Sequence, residues 1–302
     1  MKTRHILPII IVSALCLVGC GITQEDASSA LDNNKSQNSD TNSDTDTTAS
    51  QALITLPKEI NYISLGDSIS SGYALDDPNT QSYPALLTQA LESDGHNVTY
   101  KNYATNGLTS SQLADKISQG DIEELSNADL ITISIGANNI LAPSQSFANS
   151  YLAYQAGTID ATQLYQEYKT FSKDAVTGVD NLSADLDTII TGIQAVNPDA
   201  IVMFLNVYNP YRNLDLSLTV AGIKLGVNTA TDVMVTLVND KLLNSCNNFD
   251  LTYVDIHEVF EASDANLLNA SYDASTGVCN LDPHPNAVGH QVISDTIMTF
   301  IK

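Results

Sequence analysis

Tyr62-Ile63-Ser64-Leu65-Gly66-Asp67-Ser68 is the stretch on which this chain turns. The first four residues, apolar apart from Ser64, predict a short buried strand. The run then breaks at Gly66 into two small polar residues. In open α/β sheets, the carboxyl ends of the strands form the edge where ligands bind. A serine set just past such a strand is exposed yet anchored by the sheet behind it. Gly, Asp and Ser are also ordinary turn residues, so the triplet alone reads equally as a turn that starts a helix.

The rest of the chain supplies the context. Val98–Tyr103, Asp129–Ile135, Ala200–Val207 and Leu251–Asp255 are further predicted strands, the second of them (D-L-I-T-I-S-I) the clearest. Helices are predicted over Ser82–Ser93, Thr109–Ile117, Val176–Val196, Thr229–Leu243 and Ala287–Phe300. In the third of these, Val179, Leu182, Leu186, Ile189, Ile190, Ile193 and Val196 follow the helical period and mark one buried face. Strands alternating with helices predict a parallel sheet covered on both sides. With right-handed crossovers, five strands build a flavodoxin-like three-layer α/β/α sandwich, here one domain over residues 53–302. Between the third strand and the long helix lies an aromatic-rich insert, Ser146–Lys173, whose Leu164, Tyr165, Tyr168 and Phe171 share a helical face. Such a face packs into a core or walls an acyl pocket.

The N-terminus bears on compartment. Lys2 and Arg4 precede the apolar run Ile6–Val18, which ends at Gly19-Cys20. That is the form of an export signal, too short for an ordinary spanning helix. Leu17-Val18-Gly19-Cys20 resembles the lipobox of bacterial lipoproteins, which implies cleavage before Cys20 and lipidation of its sulfur. Residues 1–19 are then signal peptide, and residues 20–52 a lipidated cysteine and its tether. The tether, with Thr41–Thr48 reading T-N-S-D-T-D-T-T, has too little apolar surface to fold and is expected to be disordered. An exported domain held outside the membrane follows.

With a formal charge of −23 over 302 residues, the chain lacks the basic patch of a nucleic-acid binder. Cys246 and Cys279 remain as ordinary cysteines of the mature domain, and outside the cytosol they either pair as a disulfide or stay as free thiols. No paired CxxC, HExxH or calcium-loop motif occurs, so neither a metal nor a cofactor is expected. A monomer is the expected state.

Ser68 gains meaning from three other places. Gly107 follows the second strand, Gly136 and Asn138 follow the third, and His284 precedes the last helix in Leu281-Asp282-Pro283-His284-Pro285-Asn286. A serine hydroxyl needs a neighbouring imidazole to take its proton, and the oxyanion formed on attack needs preorganised donors. Gly66-Asp67-Ser68, Gly107, Gly136-x-Asn138 and a C-terminal Asp/His loop, in this order, resemble the SGNH (GDSL) esterase/lipase family across the whole folded region. The resemblance implies Ser68 as nucleophile, His284 as base, and an oxyanion hole made of the N–H groups of Ser68 and Gly107 with the Asn138 amide.

Two positions depart from the family pattern. Asn139 stands where an Asp usually follows the asparagine, a supporting rather than chemical position. The last block is usually Asp-x-x-His, but Leu281 lies three before His284 and Asp282 lies two before. Either Asp282 or a backbone carbonyl orients the imidazole. His290 is expected to be structural, His257 is a less supported candidate base, and His96 lies in a turn. Asp67 is expected to stabilise its turn. The G-x-S-x-G elbow of α/β-hydrolases is absent, because Ser70 stands at its last glycine. The expected activity is hydrolysis of acyl esters, with short- to medium-chain or lipid esters first and cell-envelope or glycan O-acetyl esters second. A non-catalytic lipid-anchored binding protein is the rival from another class.

Overall fold

The computed structural model describes residues 53–302 apart from 215, 216, 221, 222, 274, 276 and 277. The expected signal, Cys20 and the tether lie outside the described residues. The chain opens with β1 (Glu59–Gly66), α1 (Ser68–Ser71), α2 (Pro78–Gln81), α3 (Tyr83–Ser93), β2 (Asn97–Asn102) and α4 (Ser110–Gln119). It continues through β3 (Leu130–Ser134), α5 (Asn138–Gln155), α6 (Ala161–Val196) and β4 (Ile201–Leu205). The hairpin β5 (Ser217–Val220) and β6 (Ile223–Gly226) then leads into α7 (Val227–Phe249). β7 (Thr252–Val254), α8 (Ile256–Ala262), the hairpin β8 (Ser271–Asp273) and β9 (Val278–Asn280), and α9 (Ala287–Met298) complete it.

Five strands form one parallel sheet in the order β2-β1-β3-β4-β7. Because successive side chains of a strand face opposite sides, the register sorts the core into two layers. Ile63 pairs with Ile131, which pairs with Val202, and these face α4, α6 and α7. Tyr62 pairs with Leu130 one residue earlier, and that row faces α3, α8 and α9. The long helix α6 contributes Leu182, Leu186, Ile189, Ile190 and Ile193 to the first layer, each 0–1% exposed. Full burial of one such side chain is worth about 1.5–3 kcal/mol. The predicted three-layer architecture is therefore the observed one.

Local signals set most element ends. Thr109 caps α4 by accepting from Gln112 N, and the Gln112 side chain accepts from Thr109 N in return, a capping box. Asp160 and Gln163 do the same for α6. The insert is where the structure departs from expectation. Ser146–Lys173 is two helices, and the helix expected from Val176 is the second half of α6, which starts at Ala161. Gly178 lies within it, where its missing Cβ leaves room for Asn139: a Cβ there would lie 2.4 Å from the Asn139 carbonyl oxygen. The aromatic face divides accordingly. Phe171 is buried with Ala175 and Met234, and Leu164 and Tyr168 pack on that cluster. Tyr165 points outward beneath Lys169, whose ammonium lies 4.8 Å from the ring centre.

No disulfide joins Cys246 to another residue. Cys246 is a free thiol, 1% exposed, committed to the core layer of α6 and α7 beside Leu242 and Val238. Burial pushes its thiol up to about 12. The side chain of Cys279 lies outside the described residues.

Candidate active site

The strand order reverses direction around β1: the chain passes from β1 outward to β2, then back across β1 to β3. The loops after β1, β2 and β3 consequently meet at one place, the topological switch point where this architecture binds its ligands. They carry Ser68, Gly107 and Asn138.

β1 ends at Gly66 with φ +119, and a Cβ there would lie 1.9 Å from the Ser134 carbonyl oxygen. Only glycine fits so close a turn against β3. The same oxygen accepts the Asp67 N–H at 3.0 Å. Asp67 then caps α1, its carboxylate accepting from Ile69 N at 3.0 Å and from the Ser134 hydroxyl at 3.3 Å. This is the turn-stabilising role expected of it. Ser68 stands at the first position of α1, half-buried.

The loop after β2 hangs from β1, since Thr105 N–H donates to the Gly66 carbonyl at 2.9 Å. The Ser71 hydroxyl donates to Asn106 Oδ1 and ties that loop to α1. Gly107 follows at φ +76, exposed, and a Cβ there would meet nothing within 4 Å. Conformation rather than crowding calls for glycine here. Asn138 opens α5 and donates through its side-chain amide to the Leu108 carbonyl at 3.1 Å, linking the two loops. Asn139 braces them from behind. Its Oδ1 accepts from Ser110 N at 3.0 Å, and its amide donates to the Ser110 hydroxyl at 2.6 Å and to the Gly178 carbonyl at 2.8 Å. An amide suits this position because it must donate and accept at once, which an ionised carboxylate cannot do.

His284 arrives from the far end of the chain. The Ser68 hydroxyl lies 3.0 Å from His284 Nε2, and His284 Nδ1 lies 2.5 Å from Asp282 Oδ1. The same carboxylate oxygen accepts the His284 backbone N–H at 3.1 Å, and Oδ2 accepts from Asn269 at 3.3 Å. Of the two orienting groups left open by the sequence, the carboxylate is the one in contact. The spacing of two suffices because Asp282 folds back on the backbone of His284. Tyr208 and Tyr211, from the loop after β4, hold this segment by donating to the Pro283 carbonyl at 2.9 Å and the Leu281 carbonyl at 3.1 Å. Neither tyrosine, nor Asn269, carries a sequence signal for this role. The tyrosines' partners are backbone carbonyls 75 and 70 positions away in the chain, and that of Asn269 is the Asp282 carboxylate 13 positions away.

The remaining histidines are elsewhere. His257 Nε2 lies 3.2 Å from Asp232 Oδ1, and that bond holds its pKa above the usual value. His96 Nδ1 lies 2.7 Å from the Pro57 carbonyl oxygen. His290 is buried in α9, where Nδ1 accepts the Tyr83 N–H at 3.1 Å. Among the described residues no group of three or more His, Cys, Asp or Glu side chains is placed to hold a metal ion.

Two buried ionisable groups flank the site with opposite consequences. Burial pushes the Asp67 carboxyl up to about 7 against the pull of its hydrogen bonds. Burial, then the nearby His284, pushes His290 down to about 4. The Asp67 carboxyl favours the fold below its unfolded value, and that advantage is lost as pH rises from about 4 to 7. The neutral His290 favours the fold above its unfolded value, and that advantage is lost as pH falls from about 6.5 to 4. The two slopes oppose each other in the same window. Relative to the parent chain, Asp67→Asn should gain about 4 kcal/mol on going from pH 4 to 7, at about 1.4 kcal/mol per unit. His290→Gln should gain about 3 kcal/mol on going from pH 6.5 to 4, by the same conversion. Urea unfolding across pH 4–7 measures both, and parallel curves for parent and variants would refute the pair.

An apolar cavity of about 110 Å³ opens beside Ser68 and His284. Its walls include Ile140 and Leu141 of α5 and Met234, Val235 and Val238 of α7. Met234 and Ile140 are backed by the Phe171 cluster, so the aromatic face of α6 supports the cavity wall from outside.

Residues 64–292 match the GDSL-like lipase/acylhydrolase family. The chain belongs to that family and is a serine ester hydrolase. Its fold is shared with the extracellular lipase of Streptomyces rimosus, at 20% identity over 80% of this chain and 99% of that one, TM-score 0.56. A phospholipase A1 from Streptomyces albidoflavus NA297 is similar at 22% identity over 80% and 98%, TM-score 0.55. A lipase from a goat rumen metagenome is similar at 18% over 80% and 97%, TM-score 0.52. No curated protein matches the sequence.

Proposed function

We propose that this protein hydrolyses short- to medium-chain acyl esters through an acyl-enzyme on Ser68. The observation that carries the reading is the line from Asp282 through His284 to the Ser68 hydroxyl, ending beside an apolar cavity. His284 Nε2 takes the Ser68 proton as the oxygen attacks the ester carbonyl. The charge that develops on the carbonyl oxygen is met by the N–H groups of Ser68 and Gly107 and by the second amide hydrogen of Asn138, the first being held by Leu108. The tetrahedral intermediate collapses, and the imidazolium gives its proton to the departing alkoxide. Water, deprotonated by the same imidazole, then releases the acid and regenerates Ser68.

The acyl chain fits the cavity between α5 and α7. Each buried methylene is worth about 0.8 kcal/mol, so kcat/KM should rise about fourfold per added carbon until the cavity is full and then level or fall. p-Nitrophenyl esters from acetate to decanoate measure this, and a fluorophosphonate should label Ser68. No label and no turnover would remove the catalytic reading of Ser68. A flat chain-length profile would remove the cavity as acyl site.

The same reading puts the enzyme outside the membrane on a lipid anchor, supported by Lys2, Arg4, the apolar run and Leu17-Val18-Gly19-Cys20. Two acyl chains on one cysteine suffice for stable attachment. The full chain should fractionate with membranes and incorporate labelled palmitate; Cys20→Ser incorporating as much would refute it. Among the described residues no helix is long and apolar enough to cross a membrane.

A further inference from the structure

We infer that Tyr73 is the platform for the alcohol half of the ester, a subsite separate from the acyl cavity, and that it favours alcohols bearing a ring with a flat apolar face. The inference rests on the proposed roles of Ser68 and His284. The Tyr73 ring centre lies 4.6 Å from that of His284, with the planes inclined at 55°. Tyr73 is 50% exposed, although the His284 side chain beside it is only 15% exposed. Ser68, Pro283 and His284 line the cavity, but Tyr73 does not. The Ser68–His284 pair thus stands between the cavity on one side and an open aromatic ring on the other.

The chemistry connects these surfaces. His284 Nε2 must return its proton to the leaving oxygen, so the alcohol sits against the imidazole when it departs. With the acyl chain in the cavity, the alcohol is on the outer side, next to Tyr73. The platform is also held in place. Tyr73 N–H donates to the Ser68 carbonyl at 3.0 Å, directly after Gly72, which takes φ +74 as the C-cap of α1. A Cβ at Gly72 would lie 2.6 Å from Ser82 Cβ, so the turn that aims Tyr73 is closely packed. A half-exposed ring so fixed offers its face at little entropic cost, which suits contact with a second ring.

A rival role for Tyr73 is to hold the His284 ring in position. The two differ in when they act, because the alcohol has left before deacylation, whereas His284 serves both steps. Cyclohexylmethyl butyrate and ethyl butyrate share one acyl group and have alcohols of similar acidity. In Tyr73→Ala, kcat/KM for the ring ester should fall by about 3- to 10-fold relative to the ethyl ester, the size of an aromatic contact. The rate at which the butyryl-enzyme returns to free enzyme should stay unchanged, and Tyr73→Phe should retain the ring preference. Equal losses on both esters with slowed deacylation would overturn the subsite and make Tyr73 a positioning residue. No loss on either would overturn it as well. A parent chain that forms no butyryl-enzyme from either ester would instead remove the reading of Ser68, and the subsite with it.

Discussion

Asp282→Ala is expected to lower kcat by about 10⁴-fold, the loss seen when a triad imidazole is deprived of its carboxylate. The expectation follows from the double contact. One oxygen of Asp282 receives both the His284 Nδ1–H and the His284 backbone N–H, at 2.5 and 3.1 Å. Removing it frees the ring to rotate and to take the wrong tautomer, and leaves the imidazolium formed during attack without its counter-charge. The polypeptide itself should hold, because Tyr208, Tyr211 and the Asn269 N–H to His284 carbonyl bond still anchor the segment. Steady-state kinetics, with circular dichroism as the control for folding, tests it. A rate within tenfold of the parent would pass the orienting role to another group.

The second large effect is at Asn138, where replacement by alanine should reduce kcat by about 10²–10³-fold with a smaller change in KM. The amide is almost wholly buried, and one of its two hydrogens is already committed to the Leu108 carbonyl. That bond fixes the direction of the other. An oxyanion donor aimed in advance stabilises the transition state more than the bound ester, which places the loss in kcat. An equal fall spread through KM would mean instead that Asn138 binds the ground state. Asn139→Asp is the informative companion, since it restores the residue usual in the family. Here its carboxylate would keep the bond from Ser110 N but lose the donation to the Gly178 carbonyl.

Much of this was legible in the sequence because its signals are local. A buried strand followed by glycine and apolar residues at period 3.6 each act over a few positions. They placed the five strands of the sheet and its main helices, and the alternation of the two implied parallel pairing. The hairpins and the run of α6 were less legible. The expected helix began at Val176, after an aromatic insert, whereas α6 starts fifteen residues earlier at Ala161 and takes in half of that insert. The pairing of Cys246 with Cys279 was left open by spacing, and the structure holds Cys246 as a free thiol in the core.

The site divides along the same line. Ser68, Gly107 and Asn138 lie after successive strands, so a parallel sheet must bring them to one edge; the sequence by itself determined that much, along with membership of the family. The meeting of Ser68 with His284 spans 216 positions and depends on where α9 docks against the sheet. The choice of Asp282 rests on how its own loop folds back on His284, while the straps from Tyr208 and Tyr211, the cavity between α5 and α7, and Tyr73 beside the imidazole depend on packing too. These last are contacts between residues far apart in the chain, set by how the elements pack, and no local pattern of residues encodes them. Only the tertiary structure turned a glycine-aspartate-serine turn into a serine with a base, an orienting carboxylate and a side for each half of an ester.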